Sequence, residues 1–512
     1  MFDNQPKGLY ALALANTGER FGYYTMLAVF ALFLRANFGL DAAVAGQIYS
    51  GFLALVYFLP LIGGMLADKI GYGKCVTIGI IVMFLGYVLL ALPMGGIDNG
   101  GSLVLPMTVM FLALILISVG TGLFKGNLQV MVGNLYDDPR YADRRDSAFS
   151  LFYMAINIGA MFAPTAAVKI MAWAQESLGI SVNDSYHFAF MVACASLVLS
   201  IAIYYACRPW FKHVENSAKQ AAATGTQVEE LTPEQTKKRI VALCLVFAVV
   251  IFFWMAFHQN GLTLTYFANE FVTPTATGVQ TMCFDIINLV MIAILVYALF
   301  GVFGEGSTKS KGIWGGIGAL AIALLVYKYF NHPAEVAVSA PIFQQFNPFY
   351  VVALTPISIA LFGALAKKGK EPSAPRKIAY GMVVAAVAYV IMAVGSMNLN
   401  SPDVQATLGF EDKTFADANL LIGTYLVLTF AELLLSPMGI SFVTKVAPPK
   451  YKGMMMGGWF VATAIGNYLV SIGGNLWGKM PLWGVWSVFV GVCLVAAIFM
   501  FAMMKKLEDA TK

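Results

Sequence analysis

Four ionisable side chains stand inside stretches whose apolar length marks them as membrane spans: Glu19 and Arg20 in "NTGERFGYY" (residues 16–24), Lys125 in "GTGLFKGNLQ" and Glu432 in "FAELLLSPMG". A charge at the bilayer centre costs about 2.5 to 3.5 kcal/mol even on insertion scales, so each needs a partner or a task. In the first span a helical period gathers Asn16, Arg20, Tyr23 and Leu27 into one stripe, flanked by Glu19 and Tyr24. Sequence neighbours on a helix point about 100° apart, so Glu19 and Arg20 are not expected to neutralise each other. Lys125 lies about ten residues, or ~15 Å, from the end of its helix, beyond the reach of a snorkelling lysine. It calls for an internal partner, although Gly120, Gly122 and Gly126 beside it also speak for close helix packing. Glu432 is at mid-span with Ser436 one turn on, and Pro437 is expected to break the helix hydrogen bonding there. His258, in "FFWMAFHQNGLTL" with Trp254 one turn earlier, reads equally as a proton relay or as a hydrogen-bonded core histidine. Asp285 and Lys169 lie near span ends and read as structural. Asp68 and Lys74, in "GGMLADKIGYGK", read as gating and orientation residues rather than binding ones.

The elements that must position these groups follow from composition. The 512 residues are 59% apolar and 12% charged, with mean hydropathy +0.75, against about 25% charged in soluble domains. The fold class is an all-α polytopic membrane protein. Apolar runs bounded by Gly, Pro and charge place helices near 9–37, 45–69, 74–95, 103–135, 147–175, 185–207, 239–269, 279–304, 312–330, 345–366, 377–397, 417–446, 453–478 and 482–505. The first run is too long, and too charged at Glu19 and Arg20, for a cleaved signal peptide. All six cysteines (Cys75, Cys194, Cys207, Cys244, Cys283, Cys493) fall in or beside spans, with no CxxC pair and no histidine at ligand spacing. Neither a disulfide nor a metal site is indicated, and no cofactor. The net charge of +5 needs no nucleic-acid partner.

An even number of spans puts both termini on one side. With that side cytoplasmic, most of the 32 lysines and arginines fall inside: Lys7, Lys69, Lys74, Arg140, Arg144, Arg145, the run from Arg208 to Arg239, Lys309, Lys311, Lys367 to Lys377, Lys450, Lys452 and Lys505 to Lys512. Only Arg35, Lys328, Lys413 and Lys479 fall outside, the rest lying within spans. The polar stretch 212–239 separates six helices from eight, which suggests two six-helix halves and an extra pair, an architecture of alternating-access transporters. The expected organisation is an N-terminal six-helix bundle over 1–207, a cytoplasmic linker over 208–238, the first helix of a C-terminal bundle over 239–271, an inserted transmembrane pair over 277–330, and the rest of that bundle over 345–506. The membrane is the cell inner membrane, since short loops without a glycosylated domain favour a bacterial source.

These segments, in order, resemble the proton-dependent oligopeptide transporter family of the major facilitator superfamily. "NTGERFGYY" resembles the family's E-x-x-E-R-F-x-Y-Y, "GTGLFKGN" its fourth-helix lysine motif, "FSLFYMAINIGA" its F-Y-x-x-I-N-x-G element and "FWMAFHQNG" its F-W-x-x-F-E-Q-x-G. "GGMLADKIGYGK", "FQQFNPFYVVALTPI", "AELLLSPMG" and "MGGWFVATAIGN" continue the match over nearly the whole chain. The resemblance implies a major facilitator fold in which Glu432 binds a peptide's amino terminus and Arg20 and Lys125 face its carboxylate. It implies further that Tyr23, Tyr24, Asn157, Asn347 and Trp459 line the pocket, with Trp254 beside it; Ser436, on the face of Glu432 one turn on, joins the binding set by position. Three positions depart from the family pattern: Asn16 replaces its first glutamate, His258 its seventh-helix glutamate, and Leu27 a second arginine of many bacterial members. The insertion after the seventh core helix, rather than between the halves, is a fourth.

The implied function is a secondary active importer of di- and tripeptides, a functional monomer, with protons carried by Glu19, Lys125, Glu432 and His258. Two rivals stay open: a relative that carries a non-peptide or modified peptide or facilitates peptides without coupling, and a non-transporting receptor that kept the fold. No P-loop, nucleophile elbow or metal motif points to an enzyme.

Overall fold

The computed structural model describes residues 5–141, 145–215, 232–304, 306–448 and 452–510. Arg144, Lys219, Lys450 and Lys512, and most of the expected linker, lie outside the described residues, as does the side chain of Asp68. Among the described residues, fourteen helical segments are long and apolar enough to cross a membrane.

The first half holds α1 (Lys7–Phe38), α2 (Ala42–Ile70), α3 (Tyr72–Ala91), α4 (Val104–Asn134), α5 (Arg145–Leu178) and α6 (Val182–Ala206). Their ends follow local chemistry. Gly39 stops α1 by taking φ 61°, and the Asp41 carboxylate caps α2 by accepting from the Val44 N–H at 2.7 Å. Within this half α1 packs on α5 and α6, and α4 on α2 and α3.

The second half starts earlier than expected, at α7 (Pro233–Phe257), where Thr232 and Gln235 form a capping box. The single helix expected over 239–269 is broken. A 3-10 turn at His258–Gly261 separates α7 from α8 (Thr263–Phe271), so Gly261 and Thr265 do not continue the face of Trp254. A Cβ on Gly261 would lie 1.9 Å from the Tyr49 hydroxyl, so glycine lets α2 approach this turn. The remaining core helices are α11 (Phe346–Lys367), α12 (Ala374–Gly395), a short α13 (Pro402–Thr407), α14 (Ala418–Val446), α15 (Lys452–Leu469), α16 (Ser471–Leu476), α17 (Leu482–Ala502) and a terminal α18 (Met504–Asp509). The span expected over 453–478 is thus two helices, whereas α14 runs unbroken through Pro437: one missing N–H does not interrupt so long a helix.

The inserted pair is α9 (Ile286–Phe303) and α10 (Thr308–Phe330), packed on each other. A two-stranded antiparallel sheet, β1 (Thr275–Thr277) with β2 (Glu335–Ala337), closes its base. Three-residue strands give no alternating pattern long enough to read from sequence. Asp285 caps α9 by accepting from the Ile287 N–H and pairs with Lys328 of α10, a structural role as expected.

The start of the expected linker is folded. Glu215 accepts from the Tyr204 hydroxyl at 2.9 Å and from Arg208, while its carbonyl accepts from the Tyr72 N–H at 3.0 Å. This latches the end of α6 to the α2–α3 turn.

The two halves meet on the side opposite the termini. There Arg35 Nη1 donates to Glu270 Oε1 at 2.5 Å, and Trp477 Nε1 donates to Glu270 Oε2 at 3.1 Å. Arg35 also lies 4.6 Å from the Tyr266 ring centre. Thr165 bonds Gln345 at 2.8 Å, Gln344 reaches the Ala28 carbonyl at 3.2 Å, and the Tyr266 hydroxyl reaches the Ala42 carbonyl at 3.3 Å. These bonds join the halves on that side, where a pocket of about 1150 Å³ lies open among the loops and helix ends, its lining including Arg35, Asp41, Glu270, Asp403, Lys413 and Trp477.

Candidate functional site

On α1, Asn16, Glu19, Arg20 and Tyr23 are all buried, as the stripe predicts. The pairing is the surprise. Arg20 Nε and Nη2 donate to the two carboxylate oxygens of Glu19, each at 2.5 Å, with side-chain exposures of 3% and 1%. The long arginine side chain bends back across the 100° offset, because an unpaired charge at this depth costs more than the bend. Its guanidinium also lies 4.7 Å from the Tyr23 ring centre, and Tyr23 packs edge-on against Tyr24 at 5.2 Å.

Lys125 of α4 has its Nζ 4.0 Å from the Tyr57 ring centre. Its internal partner is therefore an aromatic face, which holds a desolvated ammonium by its quadrupole. Tyr57 is in sequence only one more aromatic in the apolar run of α2, a slight signal. Its ring lies 6.2 Å from that of His258, and its hydroxyl is within the electrostatic reach of both Arg20 and Glu432. Tyr24 likewise senses Arg20, Glu19 and Glu432.

Glu432 of α14 is 8% exposed, and its Oε2 accepts from Asn347 Nδ2 of α11 at 2.9 Å. The same amide lies 3.0 Å from Thr429 Oγ1. Ser436 is half-buried one turn further. Trp459 of α15 is buried over Gly439, where a Cβ would lie 2.1 Å from the indole, so the ring needs glycine beneath it. Asn157 is buried and spends its amide on the Tyr153 carbonyl at 3.0 Å, while Tyr153 is 45% exposed and within electrostatic reach of Glu432. Tyr153 stands in the F-Y-x-x-I-N-x-G segment and was legible there. His258 stacks on Trp254, ring centres 5.0 Å apart, and its Nδ1 bonds Asn467 Oδ1 at 2.5 Å. Lys74 is exposed at the other end of the bundle, away from this cluster.

Around Tyr24 and Tyr57 the fold therefore gathers Arg20 and Lys125 from the first half and Glu432 from the second, with His258 against Tyr57. Separated cationic and anionic groups in a dry setting can hold a ligand carrying both charges. Among the described residues no group of three or more His, Cys, Asp or Glu could hold a metal ion.

Comparison with known proteins places the chain in a family. The chain is 27% identical over 496 residues to "Dipeptide and tripeptide permease A" of Citrobacter koseri, covering 93% of this chain and 85% of that one. To the protein of the same name from Escherichia coli K12 it is 26% identical over 497 residues, covering 93% and 85%. A crystal structure of a mutant peptide transporter POT in complex with alafosfalin superposes with a TM-score of 0.73 at 22% identity, covering 100% of this chain and 97% of the other. The sequence model of the POT family matches residues 73–229 and 330–481, more than half of the chain. With a major facilitator fold of fourteen spans, and with more than half of its length matched to that family, the chain belongs to the POT family of peptide transporters.

Proposed function

We propose that this chain imports di- and tripeptides as a secondary active, proton-driven transporter working by alternating access. The observation that carries the reading is the division of charge around one aromatic centre: Arg20 and Lys125 on one bundle, Glu432 on the other, all about Tyr24 and Tyr57. The names of the permease relatives add to it. In this reading Glu432 holds the peptide's amino terminus, with Asn347 orienting the carboxylate and Ser436 one turn beyond. Arg20 and Lys125 receive the peptide carboxylate, and Tyr23, Tyr24, Asn157, Trp254 and Trp459 form the walls. An extended peptide grows by about 3.3 to 3.6 Å per residue, so water or side-chain adjustment absorbs the difference between di- and tripeptides.

Glu19, Lys125, Glu432 and His258 carry the protons. A proton taken up by Glu19 releases Arg20 for the substrate carboxylate, which links the two cargoes through one guanidinium. Each entering proton contributes about 2.3 kcal/mol per 100 mV, and one pH unit adds about 1.4 kcal/mol. Together these sustain accumulation of roughly several hundred-fold.

Asp68 and Lys74 serve the gate on the cytoplasmic side, where both termini lie. The protein works as a monomer in the cell inner membrane. Its N-terminal bundle is 1–207, the linker 208–238, and the C-terminal bundle 239–271 and 345–506, with the pair 277–330 inserted. The test is exchange: vesicles loaded with one unlabelled dipeptide should take up a labelled one against no gradient, and Glu432→Gln should abolish it. No exchange with any di- or tripeptide would end the substrate assignment.

A further inference from the structure

His258 stands where the fold turns from α7 into α8, and what holds its ring is not a charge but a carboxamide. Nδ1 lies 2.5 Å from Oδ1 of Asn467, a residue 0% exposed on α15 of the same half. Trp254 stacks on one side of the imidazole, with ring centres 5.0 Å apart and planes at 20°. Nε2 has no hydrogen-bond partner among the described residues, and the side chain is only half-buried. The other groups nearby that ionise are Tyr49 and Tyr57 of α2, Lys125 of α4, Tyr389 of α12 and Tyr425 of α14. Tyr389 and Tyr425 are committed as donors to the carbonyls of Ala256 and Asn260. Tyr49 abuts Gly261. Lys125 is the neighbour that carries a charge, reaching His258 electrostatically across Tyr57.

We infer that Asn467 is a positioning residue that fixes His258 as the Nδ1–H tautomer and leaves the Nε2 lone pair free to take a proton. With the carboxamide oxygen as acceptor, Nδ1–H donates both in neutral imidazole and in imidazolium, so a proton can join and leave Nε2 with no side chain moving. With the amide turned over, its N–H₂ would face Nδ1, and protonation would set two donors head to head. Only the first arrangement gives a ring that titrates in place. The neutral ring then offers an acceptor for a peptide N–H or ammonium, while the protonated ring offers a donor. Lys125 across Tyr57 opposes the second state, so the two cations are expected to alternate.

This rests on the peptide-transport reading for its consequence but not for its geometry, and the test separates the two. Nitrogen NMR of the full-length protein labelled at histidine, with His258 assigned by its loss in His258→Gln, reads the tautomer directly and needs no substrate. The expected result is a protonated Nδ1 and a lone pair on Nε2 in the wild type, with Asn467→Ala shifting the ring toward the opposite tautomer. In reconstituted uptake, the wild type should show a pH dependence between about pH 5 and 8 that Asn467→Ala loses. Asn467→Asp, which keeps an oxygen acceptor should the alanine variant fold poorly, should keep the tautomer and move the profile alkaline. A wild-type His258 protonated at Nε2, or a tautomer indifferent to Asn467→Ala, overturns the inference. Wild-type protein that transports no peptide would end the functional reading and leave the tautomer measurement standing.

Discussion

Removing the charge of Glu270 should open the side of the molecule that the structure shows closed. Arg35 and Glu270 meet across the two halves at 2.5 Å, with side-chain exposures of 30% and 18%, and Trp477 adds a donor to the same carboxylate. Fully exposed pairs contribute about 0 to 1 kcal/mol, and breaking fully buried ones costs about 3 to 5 kcal/mol. This pair lies between, and screening at its exposed edge keeps it well below the upper figure. Glu270→Gln should therefore cost the closed state about 1.5 to 2.5 kcal/mol, moving the equilibrium between closed and open forms by roughly 10- to 70-fold. Spin labels at Val182 and Val404, both exposed on that side in opposite halves, report the change as growth of a longer-distance population in a cysteine-free background. Arg35→Met should do the same, and the double variant should add little, since both remove one interaction. Unchanged distances in both single variants, or fully additive effects, would refute the idea that this pair holds the closure.

Other substitutions probe separate parts of the account. Glu432→Gln retains an oxygen for the Asn347 amide yet removes the anion, and should weaken peptide binding by at least about 30-fold, the effect of ~2 kcal/mol at a buried charge, in an equilibrium binding assay. Lys125→Ala should abolish gradient-driven accumulation while leaving measurable peptide exchange, whereas a loss confined to affinity would assign Lys125 to binding alone. A Cβ at Gly63 would lie 2.1 Å from the Gly122 carbonyl oxygen, whereas one at Gly64 meets nothing within 4 Å. Gly63→Ala should thus destabilise by about 1 to 3 kcal/mol in thermal unfolding, and Gly64→Ala should not. Asp285→Asn, at a half-exposed pair between α9 and α10, should change stability by less than about 1 kcal/mol and leave uptake unaltered.

The spans were legible because a bilayer-length apolar run has one reading. The sites inside them were legible because charge at that depth is rare. What escaped the sequence was contact between distant segments. Arg35 and Glu270 stand 235 residues apart, each an ordinary charge near a span end, and only the closure of the two halves makes them a pair. Tyr57 looked like one more aromatic until Lys125 lay on its face. The break at His258 was hidden because Gly261 is needed by Tyr49 of another helix, not by its own. The Glu19–Arg20 pair was misjudged for a simpler reason: helical spacing describes where Cβ atoms point, and a long arginine side chain is not bound by it.

The central claim is that one buried charge constellation couples peptides to protons. It is tested most directly by dipeptide uptake into proteoliposomes with and without an inward proton gradient, comparing wild type with Glu432→Gln and His258→Ala. The account predicts accumulation above equilibrium in the wild type only when the gradient is present, loss of uptake in Glu432→Gln, and a weakened response to the gradient in His258→Ala. Wild-type uptake of the same extent with and without the gradient would contradict it.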